Sequence, residues 1–192
     1  FADKSFGIVV MDPPYNAGKN YGEGTNDRRP WDEWCAWFDG VLDECLRVST
    51  DGVLSFLSQT AYRHYVRLGK HDMAWSAVWF KPLSMAVSSA PFMPHWEPIA
   101  YWGPKRRRKG DGEGWGSDVI VANVEYGKDR YGHPTPKPMS LMRELLVKTS
   151  GPILDPFAGS LATLAAAREL GREATGIELE ERFITAGMMR MC

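Results

Sequence analysis

Short apolar runs and segments of helical period alternate along this chain. "FGIVVM" is β-branched and apolar with no polar alternation, the pattern of a strand buried on both faces of a parallel sheet. From Trp31 the apolar positions Trp34, Trp37 or Phe38, Val41, Leu42 and Cys45 recur at helical spacing, just after Pro30, where a first helical turn favours proline. "DGVLSFLS" reads as a second buried strand and "AYRHYVRLGK" as a helix ending near Gly69. "AWSAVWFKP" and "HWEPIAYWG" are two further strands, expected as an antiparallel pair, and "DVIVANV" is strand-like. "PMSLMRELLVKTS" predicts a helix, "GPILDPFAGS" a strand running into a small-residue turn, "LATLAAARELG" a helix closed by glycine, and "EATGIEL" the last strand. Strands alternating with helices imply an α/β domain with a mostly parallel sheet and an antiparallel strand.

Composition adds limits. The 192 residues, 44% hydrophobic and 24% charged, suffice for one domain with a sizeable core or a domain with one insertion. No apolar run approaches the roughly 20 residues of a membrane span, and no signal peptide is visible, so a cytoplasmic protein is expected. The three cysteines (Cys35, Cys45, Cys192) follow no CxxC pattern and read as free thiols; the four histidines lack ligand spacing, so no metal site is expected. Net charge is −1, but Lys105, Arg106, Arg107, Arg108 and Lys109 form one unbroken basic run. It suits DNA phosphates or a solvated turn, and residues 104–132 around it are the candidate insertion or recognition segment.

Ligands of open α/β sheets bind outside the carboxyl ends of the strands, and three expected strands end on a carboxylate: Asp12, Asp155 and Glu178. Gly159 and Ser160 let the backbone approach a ligand closely, with a helix N-terminus behind them. Glu178, about 20 residues on, is placed to accept hydrogen bonds from both ribose hydroxyls of a nucleoside, or else to cap the next helix. Asp12 opens "DPPYN", which suits transfer of a group to an exocyclic amine on a nucleobase. The Asp12 carboxylate and the Pro13 carbonyl would accept the two amine hydrogens and favour a pyramidal, nucleophilic nitrogen. The prolines stiffen the turn, and Tyr15 offers a face for stacking worth about 1–3 kcal/mol per base. A base must leave the duplex to reach such a pocket. The same residues also suit a proline-stiffened loop with Asp12 as a helix cap.

"DPPY" before "DPFAGS", with "HPTPKP" between them, resembles the amino-group DNA methyltransferases of the permuted (beta) class, over almost the whole chain. The resemblance implies a Rossmann-like methyltransferase sheet with permuted motif order, S-adenosylmethionine as methyl donor and DNA as partner. Asp12, Pro13, Pro14 and Tyr15 would hold the target base. Asp155, Phe157, Gly159 and Ser160 would line the cofactor, Glu178 would bind its ribose, and Thr135 and Lys137 its methionine carboxylate. In this family DPPY usually goes with adenine, and a serine in the first position with cytosine. The expected activity is therefore adenine N6 methylation after base flipping, in a prokaryotic or phage-infected cell, alone or beside a restriction partner. Methylation of cytosine or of RNA, and an inactive DNA-binding module on the same fold, are the alternatives.

Two departures bear on this. Leu161 stands where the family usually has a second glycine, and would either crowd the cofactor or tighten helix packing. The family's strand ending in Gly-Asp upstream of DPPY has no counterpart here. It either precedes Phe1 or is absent, in which case the pocket is open on one side and cofactor binding weak. The recognition segment is short, so selectivity is expected to be low or shared with a second subunit in a homodimer. Arg28 and Arg29 suit phosphates flanking a flipped base or a plain exposed loop. The tryptophans at 31, 34 and 37 are expected in the core, and His133 is expected to orient the pocket rather than do chemistry.

Overall fold

A computed structural model describes residues 1–19, 21, 27–85, 91–104, 116–125, 133 and 135–191. The apolar runs form one seven-stranded sheet: β1 (Ile8–Met11), β2 (Val53–Phe56), β3 (Trp75–Phe80), β4 (Trp96–Trp102), β5 (Val119–Val121), β6 (Ile153–Asp155) and β7 (Ala174–Gly176). Their order is β5-β3-β4-β2-β1-β6-β7. Pairing is parallel except where β4 meets β2 and β3, so a single reversed strand sits in an otherwise parallel sheet, as the sequence predicts. The strand-like "DVIVANV" supplies β5, the edge strand beside β3, so part of the 104–132 segment belongs to the sheet.

Helices α1 (Trp31–Val48), α2 (Gln59–Leu68), α3 (Met139–Leu146), α4 (Ala162–Glu169) and α5 (Glu181–Gly187) complete the fold, followed by a 3₁₀ turn, Met188–Arg190. Strand alternation separates two cores. Val9, Met11, Val53, Ala100 and Trp102 face Trp34, Phe38, Leu42 and Cys45 of α1. Ile8, Val10, Phe56, Trp79 and Ile99 face Leu141 and Leu145 of α3 and Ala162 and Ala166 of α4. α5 was not foreseen, because "ERFITAG" buries only Phe183 and Gly187 and so carries almost no apolar period. α2 starts two residues ahead of the expected segment, where the Ser58 side chain accepts from the Ala61 N–H at 3.0 Å.

The topology places the site. From β1 the chain crosses through α1 to β2 on one side; from β6 it crosses through α4 to β7 on the other. Right-handed crossovers in opposite directions put α1 and α4 on opposite faces, leaving a crevice at the carboxyl ends of β1 and β6. Asp12 follows β1 and Asp155 ends β6, so both carboxylates border it. Pro13 and Pro14 have no N–H to donate, which stops the β1 ladder at Met11.

Candidate active site

A cavity of about 340 Å³ fills the crevice and brings together Asp12, Pro14, Thr135, Lys137, Asp155, Phe157, Gly159, Ser160 and Glu178. Residues more than 160 positions apart, expected to hold a base on one side and a nucleoside cofactor on the other, thus share one space.

On the β1 side, Asp12 is held by two donors. Tyr15 OH donates to Oδ1. Lys137 Nζ donates to Oδ2 at 2.6 Å and reaches the Tyr15 hydroxyl at 3.1 Å. Burial, reinforced by Asp12, pushes the Tyr15 phenol well above its usual range, so it stays a neutral donor. The Lys137 ammonium here points at Asp12, a contact that spacing alone did not suggest.

The loop after DPPY is organised by Asp27, which sequence reasoning missed. Its buried carboxylate accepts from the N–H groups of Asn16 (2.6 Å), Ala17 (3.1 Å) and Lys19 (2.8 Å). Asn16, at φ 61°, grips the backbone of Arg29 through both ends of its amide. Trp34 is core as expected, but its indole N–H also donates to the Pro14 carbonyl at 3.0 Å and so fixes the DPPY turn. Trp37 differs from expectation: it is half-buried and lines the cavity, with the Arg29 guanidinium 5.1 Å over its ring. Arg29 thus lies at the cavity, whereas Arg28 is exposed and packs along Gly18. Tyr21, also unforeseen, lines the cavity beside Thr135, and burial with the nearby Asp12 carboxylate pushes its phenol up. The basic run Lys105 to Lys109 lies outside the described residues.

On the β6 side, the turn is built for close approach. Gly159 has φ +46°, and a Cβ there would come within 3.1 Å of His133 Nε2. Its N–H donates to Glu178 Oε2 at 2.8 Å, while Oε1 accepts from the Glu180 N–H at 2.9 Å. Each oxygen keeps a lone pair for a further donor, so Glu178 both caps the chain at Glu180 and remains able to accept from a hydroxyl. His133 accepts from the Thr135 N–H at 3.3 Å and packs edge-on against Phe183; burial lowers its pKa and keeps the ring neutral. Asp155 accepts from the Phe157 N–H at 3.0 Å, and burial pushes its carboxyl up to about 7. Leu161 adopts a left-handed conformation (φ 59°, ψ 25°), is buried, and lies against Gly187 of α5, where an added Cβ would meet its Cγ at 2.6 Å. It is absent from the cavity wall, so it tightens helix packing rather than crowding a ligand. Phe157, Ile177, Leu179 and Phe183 make an apolar wall, with Leu179 83% exposed at the rim.

Among the described residues no cluster of His, Cys, Asp and Glu could hold a metal, and no helix is long and apolar enough to cross a membrane. Cys35 and Cys45 are unbridged and buried, and burial pushes their thiols up to about 11 and about 12. Cys192 lies outside the described residues.

The sheet, its reversed strand and the cavity at the crevice define a methyltransferase fold. A solved S-adenosylmethionine complex of M1.HpyAVI superposes with TM-score 0.68 at 19% identity, over 98% of this chain and 89% of that one. The PvuII cytosine-N4-specific DNA methyltransferase superposes with TM-score 0.73 at 15% identity, over 100% and 81%. Residues 6–189 match the DNA methylase family of N6 and N4 methyltransferases, and the chain belongs to that family. The DNA adenine methyltransferase YhdJ of Escherichia coli (strain K12) is 28% identical, over 98% of this chain and 76% of its own length.

Proposed function

We propose that this chain methylates the exocyclic amino group of a base in DNA, with adenine N6 as the target and S-adenosylmethionine as donor. The observation that carries the reading is the shared cavity: Asp12 and the Asp155–Ser160 turn open into one space. When bound, S-adenosylmethionine supplies an electrophilic methyl group on a sulfonium. Phe157, Gly159 and Ser160 would line it, Glu178 would accept from its ribose hydroxyls, and Thr135 and Lys137 would hold its carboxylate. Asp12 and the Pro13 carbonyl take the hydrogens of the target amine, whose lone pair then turns from the ring toward the methyl carbon. The proton that the amine loses on methylation would leave by way of Asp12. Tyr15 stacks on the base, which must be flipped out of the duplex to reach the carboxyl ends of the strands. Arg28, Arg29 and the run from Lys105 to Lys109 are proposed for the flanking phosphates.

Cytosine N4 is the second reading, favoured by the fold likeness to a cytosine-N4-specific enzyme. Cytosine presents the same amine to the same two acceptors, whereas the DPPY motif and the adenine-specific relative point to adenine. Labelled S-adenosylmethionine, unmethylated duplex DNA and mass spectrometry of the digested nucleosides separate the two. Label in 6-methyladenine, lost in Tyr15→Ala, is the expected result. Label in 4-methylcytosine moves the assignment to cytosine, and no label on any base sinks both.

A further inference from the structure

Behind Asp12 lies a chain of alternating charges that the motifs do not account for. Glu97 sits opposite Trp79 in the β3–β4 pair, and Lys81 follows β3 two residues beyond Trp79, on the same face of the sheet. Lys81 Nζ donates to Glu97 Oε1 at 2.7 Å, which fixes that carboxylate by one oxygen. The other, Oε2, is buried with no hydrogen-bond partner, 4.0 Å from Lys137 Nζ. Lys137 in turn spends two of its three N–H groups on Asp12 and the Tyr15 hydroxyl. Its ammonium lies 5.0 Å from the ring centre of Phe56, 5.3 Å from that of Tyr15 and 5.8 Å from that of Trp79.

A buried carboxylate oxygen without a donor is costly, and a cation held on a catalytic carboxylate weakens its pull on positive charge developing in the substrate. One movement answers both. With Lys137 on Oδ2, Asp12 meets the target amine with its charge largely spent. As the nitrogen attacks, positive charge grows on it, and an ammonium on the same carboxylate opposes that growth. A short swing toward Glu97 Oε2 removes the opposition and satisfies the orphaned oxygen. The three aromatic faces favour a cation anywhere along that path.

We propose that Glu97 is a positioning residue that takes over the Lys137 ammonium from Asp12 and so releases the Asp12 carboxylate to the target amine. No covalent bond changes in this exchange; one hydrogen bond is traded for another. Lys137 keeps one N–H group for the cofactor carboxylate. The inference rests on the methyltransferase reading above.

The test uses single-turnover methyl transfer to unmethylated duplex DNA, with cofactor affinity by calorimetry and thermal melting on each variant. Glu97→Gln keeps the shape but weakens the acceptor, and is expected to slow transfer by roughly tenfold or more while the cofactor Kd stays within about threefold. In a Lys137→Met background the same substitution is expected to add nothing, since Glu97 acts through Lys137. Glu97→Gln also strips Lys81 of its partner, so the pair Lys81→Met with Glu97→Gln removes both charges together. A merely structural ion pair would be restored to the wild-type rate in that double variant, whereas the inference requires the rate loss to persist. Transfer within twofold of wild type in either Glu97 variant, or an equal loss in the Lys137→Met background, overturns it. A wild-type chain that transfers no methyl group overturns the underlying reading as well, which keeps the two failures distinct.

Discussion

Asp12 and Asp155 mark the ends of neighbouring parallel strands, yet their surroundings differ in kind. Asp12 sits among charges, with Lys137 on one oxygen and a phenol on the other. Asp155 is 4% exposed, and its carboxyl is pushed up to about 7 by burial, with the neutral hydrogen bond of the Phe157 N–H set against that rise. The segments that follow differ likewise. The loop after Asp12 is held by a side chain, Asp27; the turn after Asp155 is held by backbone conformation at Gly159 and by the packing of Leu161. A carboxylate at a strand end is thus not one device. One is tied to side chains that can exchange partners, while a dry site favours the protonated, hydrogen-bonding form.

The largest test of this contrast is Asp12→Asn, expected to lower the rate of methyl transfer by about 10²–10³-fold, a loss typical of removing a group that stabilises transition-state charge. Cofactor affinity, measured by calorimetry, is expected to stay within a few-fold, because the nucleoside side of the cavity is untouched. Equal activity would remove Asp12 from the chemistry and erase its distinction from Asp155.

Next in size is Asp27→Ala, which strips three backbone N–H groups of their acceptor. Unsatisfied donors of this kind make a loss of about 2–4 kcal/mol the expected outcome of urea unfolding. Leu161→Gly probes the other turn. Loss of a buried leucine, at about 2–3 kcal/mol, outweighs relief of the left-handed backbone, at about 1 kcal/mol, leaving a net destabilisation of roughly 1–2 kcal/mol. Its cofactor affinity is expected to be unchanged; tighter binding would show that the leucine does crowd the cavity.

The smallest effect has the opposite sign. Folding raises the Asp155 pKa from 3.8 to about 7, so between those values the native state binds more protons than the unfolded chain. Wild-type stability from this group therefore falls as pH rises, and the penalty is complete above about 7. Asp155→Asn carries no such penalty. Its melting temperature relative to wild type is expected to climb between pH 5 and pH 8, because the cost of the buried amide is the same at every pH and only the wild-type carboxylate loses stability over that range. A flat difference would mean that Asp155 is not the dry carboxylate described here.

Much of this was legible in the chain. The strands, the reversed β4, and the two motifs that meet in the cavity all follow from local pattern. The terms that were missed are those that depend on a partner far along the chain. Lys81 and Glu97 are charges at the ends of otherwise apolar strands in "WFKP" and "HWEP", an anomaly visible in the sequence whose meaning appears only when β3 and β4 pair. Asp27 and Tyr21 sit in a polar loop where nothing in composition separates an organising carboxylate from a solvated one. Trp37 followed the helical period into an expected core position. α1 begins beside the exit of β1, so its first turns, Trp34 and Trp37 both, border the cavity.

By itself, then, the sequence determined the elements and the chemistry on offer: an acidic strand end before two prolines, a glycine turn before a helix, and a carboxylate at the end of the last strand. Those are local properties, set by which residues can continue a ladder, turn a chain or accept a hydrogen bond. The tertiary structure alone decided which charges meet. It set Lys137 on Asp12 and left Asp155 dry, because opposed crossovers bring β1 and β6 side by side and direct the segment carrying Lys137 toward one of them.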